Sequence, residues 1–113
     1  MSQNRKKLID LFIGNISNSV VHKILEEAIK EEIYRKRYIK EFSTSLDTAK
    51  RYREKINLIN MPLPDKDIAY IKEKIIRKVK AELEQRISKG YQNIDIRLIE
   101  PIVDSILKKM DII

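Results

Sequence analysis

The sequence predicts an all-α protein, a compact bundle of four main helices with a short N-terminal helix in front. Three observations carry that prediction. Only two glycines and three prolines occur in 113 residues, and most stand where a helix should stop. Runs of β-branched residues of the kind that strands need are missing. Apolar residues recur at steps of three and four through most of the chain, which is the period of a helix with one buried face.

A first short helix is expected over residues 3–13, closed by Gly14 in the left-handed position after the last turn. Ser17 then reads as an N-cap, with Ile16 stapled onto Val21, and opens a helix of about residues 18–41. Its early apolar stripe is Val21, Ile24, Leu25, Ala28 and Ile29. Glu26→Lys30, Glu31→Arg35 and Glu32→Lys36 are i,i+4 pairs in the favourable order, each worth about 0.2–0.5 kcal/mol. The stretch "STSLDT" reads as a turn and cap, so a third helix follows over about residues 46–59, with Leu46, Ala49, Tyr52, Ile56 and Ile59 as its seam.

"NMPLPDKD" supplies a stiff connector over residues 60–65, and Asp65 reads as the N-cap of the next helix. That helix, about 66–89, carries Ile68, Ile71, Ile75, Val79, Leu83 and Ile87, with Ile76 widening the stripe. Gly90 ends it and Tyr91 is placed to fold back on its last turn. Asp95 caps a final helix bearing Leu98, Ile99, Ile102, Val103, Ile106 and Met110, with Pro101 near its start. Residues 1–113 thus form a single domain, in which residues 1–4 are expected to be disordered.

Composition bounds function by exclusion. The absence of cysteine removes disulfides, thiolate metal sites and thiol catalysis, and a single histidine, His22, leaves little for imidazole chemistry. His22 and Glu26 share a helical face, but two ligands do not make a metal site, and the Glu-x-x-His pairs of di-iron bundles do not occur. His22 therefore reads as a surface residue. Glu26, Glu27, Glu31 and Glu32 sit among lysines and arginines and read as a solvated, ion-paired face rather than acid–base catalysts. With only Gly14 and Gly90, a glycine-rich phosphate loop is excluded. No nucleophile–base–orienter set is present, so a non-enzymatic protein with no cofactor is expected.

Asn15 opens an "NIS" sequon that no secretion signal supports. The N-terminus lacks a cleavable apolar leader, and no apolar run approaches the ~18 residues a membrane span needs, so a cytoplasmic protein without membrane contact is expected. The abundance of isoleucine, lysine and glutamate suits a thermophile with surface ion-pair networks, although an AT-rich mesophilic genome gives a similar composition.

What remains is charge. The net charge is +7. Residues 35–55 hold 8 Lys/Arg against 3 Asp/Glu, the densest basic stretch in the chain. Within "EEIYRKRYIKEF", at ~100° per residue, Tyr34, Tyr38 and Phe42 form one row, while Lys36, Arg37 and Lys40 point largely elsewhere. The aromatic row is therefore expected to pack on another helix. Arg35 falls among the aromatics and is expected to snorkel or to pair with Glu31. The apolar face also rotates around residues 31–37, so the helix is expected to bend there or to change its packing partner.

In the next helix Lys50, Arg51 and Lys55 lie opposite the seam, with Arg53 at the seam's edge. An antiparallel hairpin of these two helices would merge Lys36, Arg37, Lys40, Lys50, Arg51 and Lys55 into one surface for nucleic-acid phosphates, DNA or RNA. The alternative is a helical protein–protein interaction module, as a homodimer or a small accessory subunit of a larger assembly. The long fourth helix, the rotated stripe and the apolar tail "MDII" point that way.

Overall fold

The computed structural model describes residues 3–29, 31–56, 63–110 and 112. Among these residues it contains helices and no strand: α1 (Gln3–Ala28), α2 (Glu32–Ile56), α3 (Asp65–Ser88), a short 3-10 turn (Ile96–Leu98) and α4 (Ile99–Lys109). The all-α expectation and the four main helices hold, and among the described residues the expected short N-terminal helix is not separate but continuous with α1.

The residues expected to punctuate the first half do not do so. α1 runs through both Gly14 and Ser17. The Ser17 hydroxyl is buried and donates to the Ile13 carbonyl at 2.7 Å, four residues back inside the helix. "STSLDT" likewise continues α2, with the Thr48 hydroxyl donating to the Thr44 carbonyl at 3.1 Å. Serine and threonine are good caps only where the helix has another reason to end, and inside a helix the same hydroxyls bond back along it. Gln3 and Asn4, expected to be disordered, are the first residues of α1. The same expectation for residues 1 and 2 lies outside the described residues.

The real break falls between the end of α1 at Ala28 and the start of α2 at Glu32, where neither glycine nor proline marks it. It lies at the edge of the segment where the apolar face rotates. Breaking the helix there folds α2 back along α1. The Ser19 hydroxyl reaches the Phe42 carbonyl at 3.5 Å, and His22 Nε2 lies 3.0 Å from Glu41. Burial along this hairpin outweighs the loss of a few helical hydrogen bonds, since tertiary packing supplies most helical stability in a folded domain.

α1 is the central helix and packs against α2, α3 and α4. Its buried side chains, among them Ile9, Phe12, Ile13, Ile16, Val20, Val21, Ile24 and Leu25, cover most of its circumference. A helix apolar on nearly all sides is one that others surround. Each such side chain contributes roughly 1.5–3 kcal/mol on burial. α3 runs parallel to α1, tied by Arg5–Asp67 at 2.6 Å and by the Tyr70 hydroxyl donating to Asp10 at 3.1 Å. α4 returns antiparallel to α3, with Lys72 bridging to Asp104 at 2.9 Å and to Glu100 at 3.7 Å. The result is an up-down-up-down bundle of 44 × 22 × 22 Å.

The second half follows the sequence closely, except that Ile87, expected in the buried stripe, is 40% exposed. Ile71, Ile75, Val79 and Leu83 are fully buried, and Ile99, Val103 and Ile106 meet them from α4. Pro64, not Asp65, precedes α3, and Asp65 instead places a carboxylate in the first turn, where the helix dipole favours it. Gly90 takes φ +102°, Gly90 N–H donates to the Ile87 carbonyl at 3.0 Å and Tyr91 N–H to the Arg86 carbonyl at 3.1 Å. That pair of bonds is a Schellman closure, and only glycine enters it without strain. Asp95 accepts from Arg97 N–H at 3.0 Å, and Pro101 sits in the first turn of α4, where a missing N–H costs nothing.

The tail does not protrude. Met110 and Ile112 are buried in the core, so the expected surplus of apolar surface at "MDII" is not there for these two residues. The first half of the expected connector, residues 60–62, lies outside the described residues, as do residues 57–59 of the expected third helix with its seam residue Ile59, and Leu63 is buried. No helix among the described residues is long and apolar enough to cross a membrane.

Candidate nucleic-acid interface

All six cations singled out from the sequence stand on one helix, α2, rather than on two strands of a hairpin. Taking ~100° per residue from Lys36, Lys50 lies near −40°, Lys40 near 40°, Arg51 near 60°, and Arg37 and Lys55 near 100°. They occupy one arc of about 140° over a length of roughly 28 Å. All six are exposed. The expected face formed by two helices is thus corrected to a narrow ridge along one, because the expected turn between them is helical.

Acidic residues thin the ridge without cancelling it. Glu32, Asp47 and Glu54 fall on the same arc, and Glu32 pairs with Lys36 at 3.7 Å. Arg37, Lys40, Lys50, Arg51 and Lys55 make no ion pair among the described residues. The Lys55 ammonium lies 5.8 Å from the centre of the Tyr52 ring. The remaining two basic residues of α2 separate sharply. Arg35 is exposed and forms no ion pair with Glu31, whose carbonyl instead accepts from Arg35 N–H at 3.0 Å. Arg53, expected at the seam's edge, is 2% exposed and donates through Nε to the Met110 carbonyl at 2.9 Å. It holds the C-terminal segment and is no part of the ridge.

The aromatic row splits as well. Tyr38 and Phe42 pack against the core, as expected of them, but Tyr34 is 51% exposed. Tyr34 lies where the α1–α2 link meets the turn after α3. Ala28, Ile29, Glu31, Tyr34, Arg37 and Tyr38 form one wall of a groove there, Gly90 to Asn93 the other, around a volume of about 700 Å³. Tyr91 is the residue sequence reasoning missed. It is 39% exposed, and its ring carries the Arg86 guanidinium 5.6 Å from the centroid. Burial first, then the neighbouring Tyr91, holds the Tyr38 phenol above its ordinary pKa.

On the other side of Arg37 a second groove of about 490 Å³ is lined by His22, Arg37, Lys40, Glu41, Thr44 and Ser45. His22 is half-buried rather than a surface residue, and stacks on Tyr38 with ring centres 5.8 Å apart. Desolvation lowers its pKa, against the opposing pull of Glu41. Its Nδ1 is buried with no hydrogen-bond partner among the described residues, which suits the lone pair of a neutral ring whose Nε2–H donates to Glu41.

Glu26, which shares the helical face of His22, turns to Lys23 at 3.6 Å. Its expected partner Lys30 lies outside the described residues. Glu27 also pairs with Lys23, at 3.8 Å, so both carboxylates pair back along α1, and Glu26 is buried rather than part of the solvated face expected of it. No group of three His, Asp or Glu side chains able to hold a metal occurs among the described residues. Comparison with known protein families, with curated proteins and with solved structures yields no match for this chain.

Proposed function

We propose that the protein binds nucleic acid without catalysis, through phosphate contacts along the exposed ridge of α2. One observation carries this reading: six exposed cations on a single arc of one helix, five of them without an acidic partner among the described residues. A row of unneutralised cations releases condensed counterions when it meets a phosphate backbone, and that release supplies the affinity. A convex ridge of lysines and arginines tracks a backbone and reads little of the base sequence. The test is salt-dependent binding to DNA and RNA. The slope of log affinity against log salt should approach about −0.7 to −0.9 per phosphate contacted. Changing Lys36, Arg37 and Arg51 together to glutamate should abolish binding without altering the melting temperature. Binding that survives the triple change, or ignores salt, overturns the reading.

A second reading rests on Ile33 and Ile39, which are 79% and 44% exposed on α2. Isoleucines standing in solvent on the helix least covered by its neighbours favour a protein partner, a homodimer or a larger assembly. Light scattering separates the two. A mass above the monomer that Ile33→Glu reduces supports the interaction module, and a strict monomer counts against a homodimer.

A further inference from the structure

We propose that the groove between Tyr34, Tyr38 and Tyr91 seats an unpaired base, and that the ligand of the α2 ridge is therefore a single strand. This inference rests on the nucleic-acid reading of the ridge and names its ligand class. Tyr34 and Tyr91 expose large rings on opposite walls of one groove, at 51% and 39%. An exposed aromatic ring gains by stacking on a planar partner, and every base has a face to offer.

The rings are positioned by built features. Tyr91 follows the Gly90 turn directly and its main-chain N–H is fastened to Arg86, whose guanidinium also lies over its ring. Tyr38 is backed by the His22 ring. Asn93, at φ 65°, holds the far edge of the turn in a left-handed conformation that asparagine tolerates. Gln92 and Asn93 bring side-chain amides to the rim, able to donate to and accept from a base edge.

Charge complementarity fixes the occupant. Arg37 lines this groove and also belongs to the ridge, so a base held between the tyrosines would carry its phosphate onto Arg37 and continue toward Lys40, Arg51 and Lys55. Glu31, on the same wall, disfavours a phosphate at the opposite end and so gives the strand one direction of exit. The volume of about 700 Å³ is ample for one base. A duplex keeps its bases stacked and paired, and offers nothing to such a groove.

The experiment compares a labelled single strand, a duplex of the same length and a free mononucleotide against six proteins: the unaltered chain, Tyr34→Ala, Tyr91→Ala, Tyr34→Phe, Tyr91→Phe, and Lys50→Glu with Arg51→Glu. Each tyrosine change is expected to weaken single-strand binding by about 5- to 150-fold while leaving duplex binding and the salt slope unchanged. The charge-reversed protein should lose both ligands. Tyr34→Phe and Tyr91→Phe should bind as the unaltered chain does, which separates stacking from a fold defect. Unchanged single-strand affinity in both alanine variants overturns the groove and leaves the ridge standing. Failure of the unaltered chain to bind strand or duplex overturns both, and a mononucleotide that binds as tightly as the strand overturns the assignment of a strand.

Discussion

Arg53 of α2 and Met110 at the end of α4 are joined by a hydrogen bond of 2.9 Å from the guanidinium Nε to a main-chain carbonyl, buried between helices 57 residues apart in sequence. A guanidinium is expensive to bury and is tolerated only where its donors are used. Here one of them closes the C-terminal segment onto α2, and Ile112 is buried beyond it. Arg53→Ala leaves a cavity and an orphaned carbonyl, and should cost about 2–4 kcal/mol in urea melts. Because the side chain is not on the ridge, the same change should leave the salt slope of nucleic-acid binding where it was. A slope reduced by one contact would place Arg53 at the surface and contradict its burial.

Gly14 makes the opposite prediction. It lies inside α1, and a Cβ added there meets nothing within 4 Å. Glycine in a helix interior costs about 0.5–1 kcal/mol relative to alanine, largely through the freedom of the unfolded chain. Gly14→Ala should therefore stabilise the protein by about that amount, seen as a melting temperature a few degrees higher. Were Gly14 a helix end in the left-handed conformation, the same substitution would destabilise. The sign alone decides.

Gly14 and Gly90 together show what is legible in the sequence. Gly90 and Tyr91 close α3 as expected, because each acts within three or four residues of itself, whereas Asp95 caps the 3-10 turn and not the final helix, which Leu98 precedes with no side-chain cap. The buried stripe of α3 was legible for the same reason, since Ile71, Ile75, Val79 and Leu83 share a face by spacing alone. Gly14 and Ser17 carry the same local chemistry but are overridden by the core around α1, and no local signal shows that. The break between Ala28 and Glu32 is the reverse case, a helix end with no glycine or proline, forced by the gain from folding Tyr38 and Phe42 onto the core. It left one trace, the rotation of the apolar face over residues 31–37. The ridge residues share an arc on α2 through their spacing along one helix, even though the hairpin imagined for them does not exist. The groove needs Tyr91, brought back to Tyr34 and Tyr38 by the return of the chain along α3, and no periodicity foretells it.

Gly90 tests the turn that carries Tyr91. At φ +102° an alanine is strained even though its Cβ has open space around it. Gly90→Ala should cost about 1–2 kcal/mol through the backbone alone. Gly90→Asn should cost less, since asparagine enters positive φ more readily. Thermal melts of the three proteins should therefore fall in the order glycine, asparagine, alanine. Equal stability of all three would show that the turn tolerates a different conformation.

His22 gives the bundle a pH dependence whose sign separates two effects at one ring. Burial favours the neutral imidazole, whereas Glu41 beside Nε2 favours the charged one, with Arg86 and Glu82 opposing each other more weakly. Burial prevails, so the folded-state pKa lies below the unfolded value of about 6.5. The unfolded chain then takes up its proton first on acidification. The histidine's share of stability is complete above about pH 6.5 and is lost as the pH falls through the lower folded value. The melting temperature of the unaltered protein should drop between about pH 7.5 and about pH 5 by more than that of His22→Gln, in a range where the carboxylates remain largely ionised. If the Glu41 pair dominated, the unaltered protein would gain on the variant over the same range. A relative gain in acid would therefore reverse the assignment of the neutral ring.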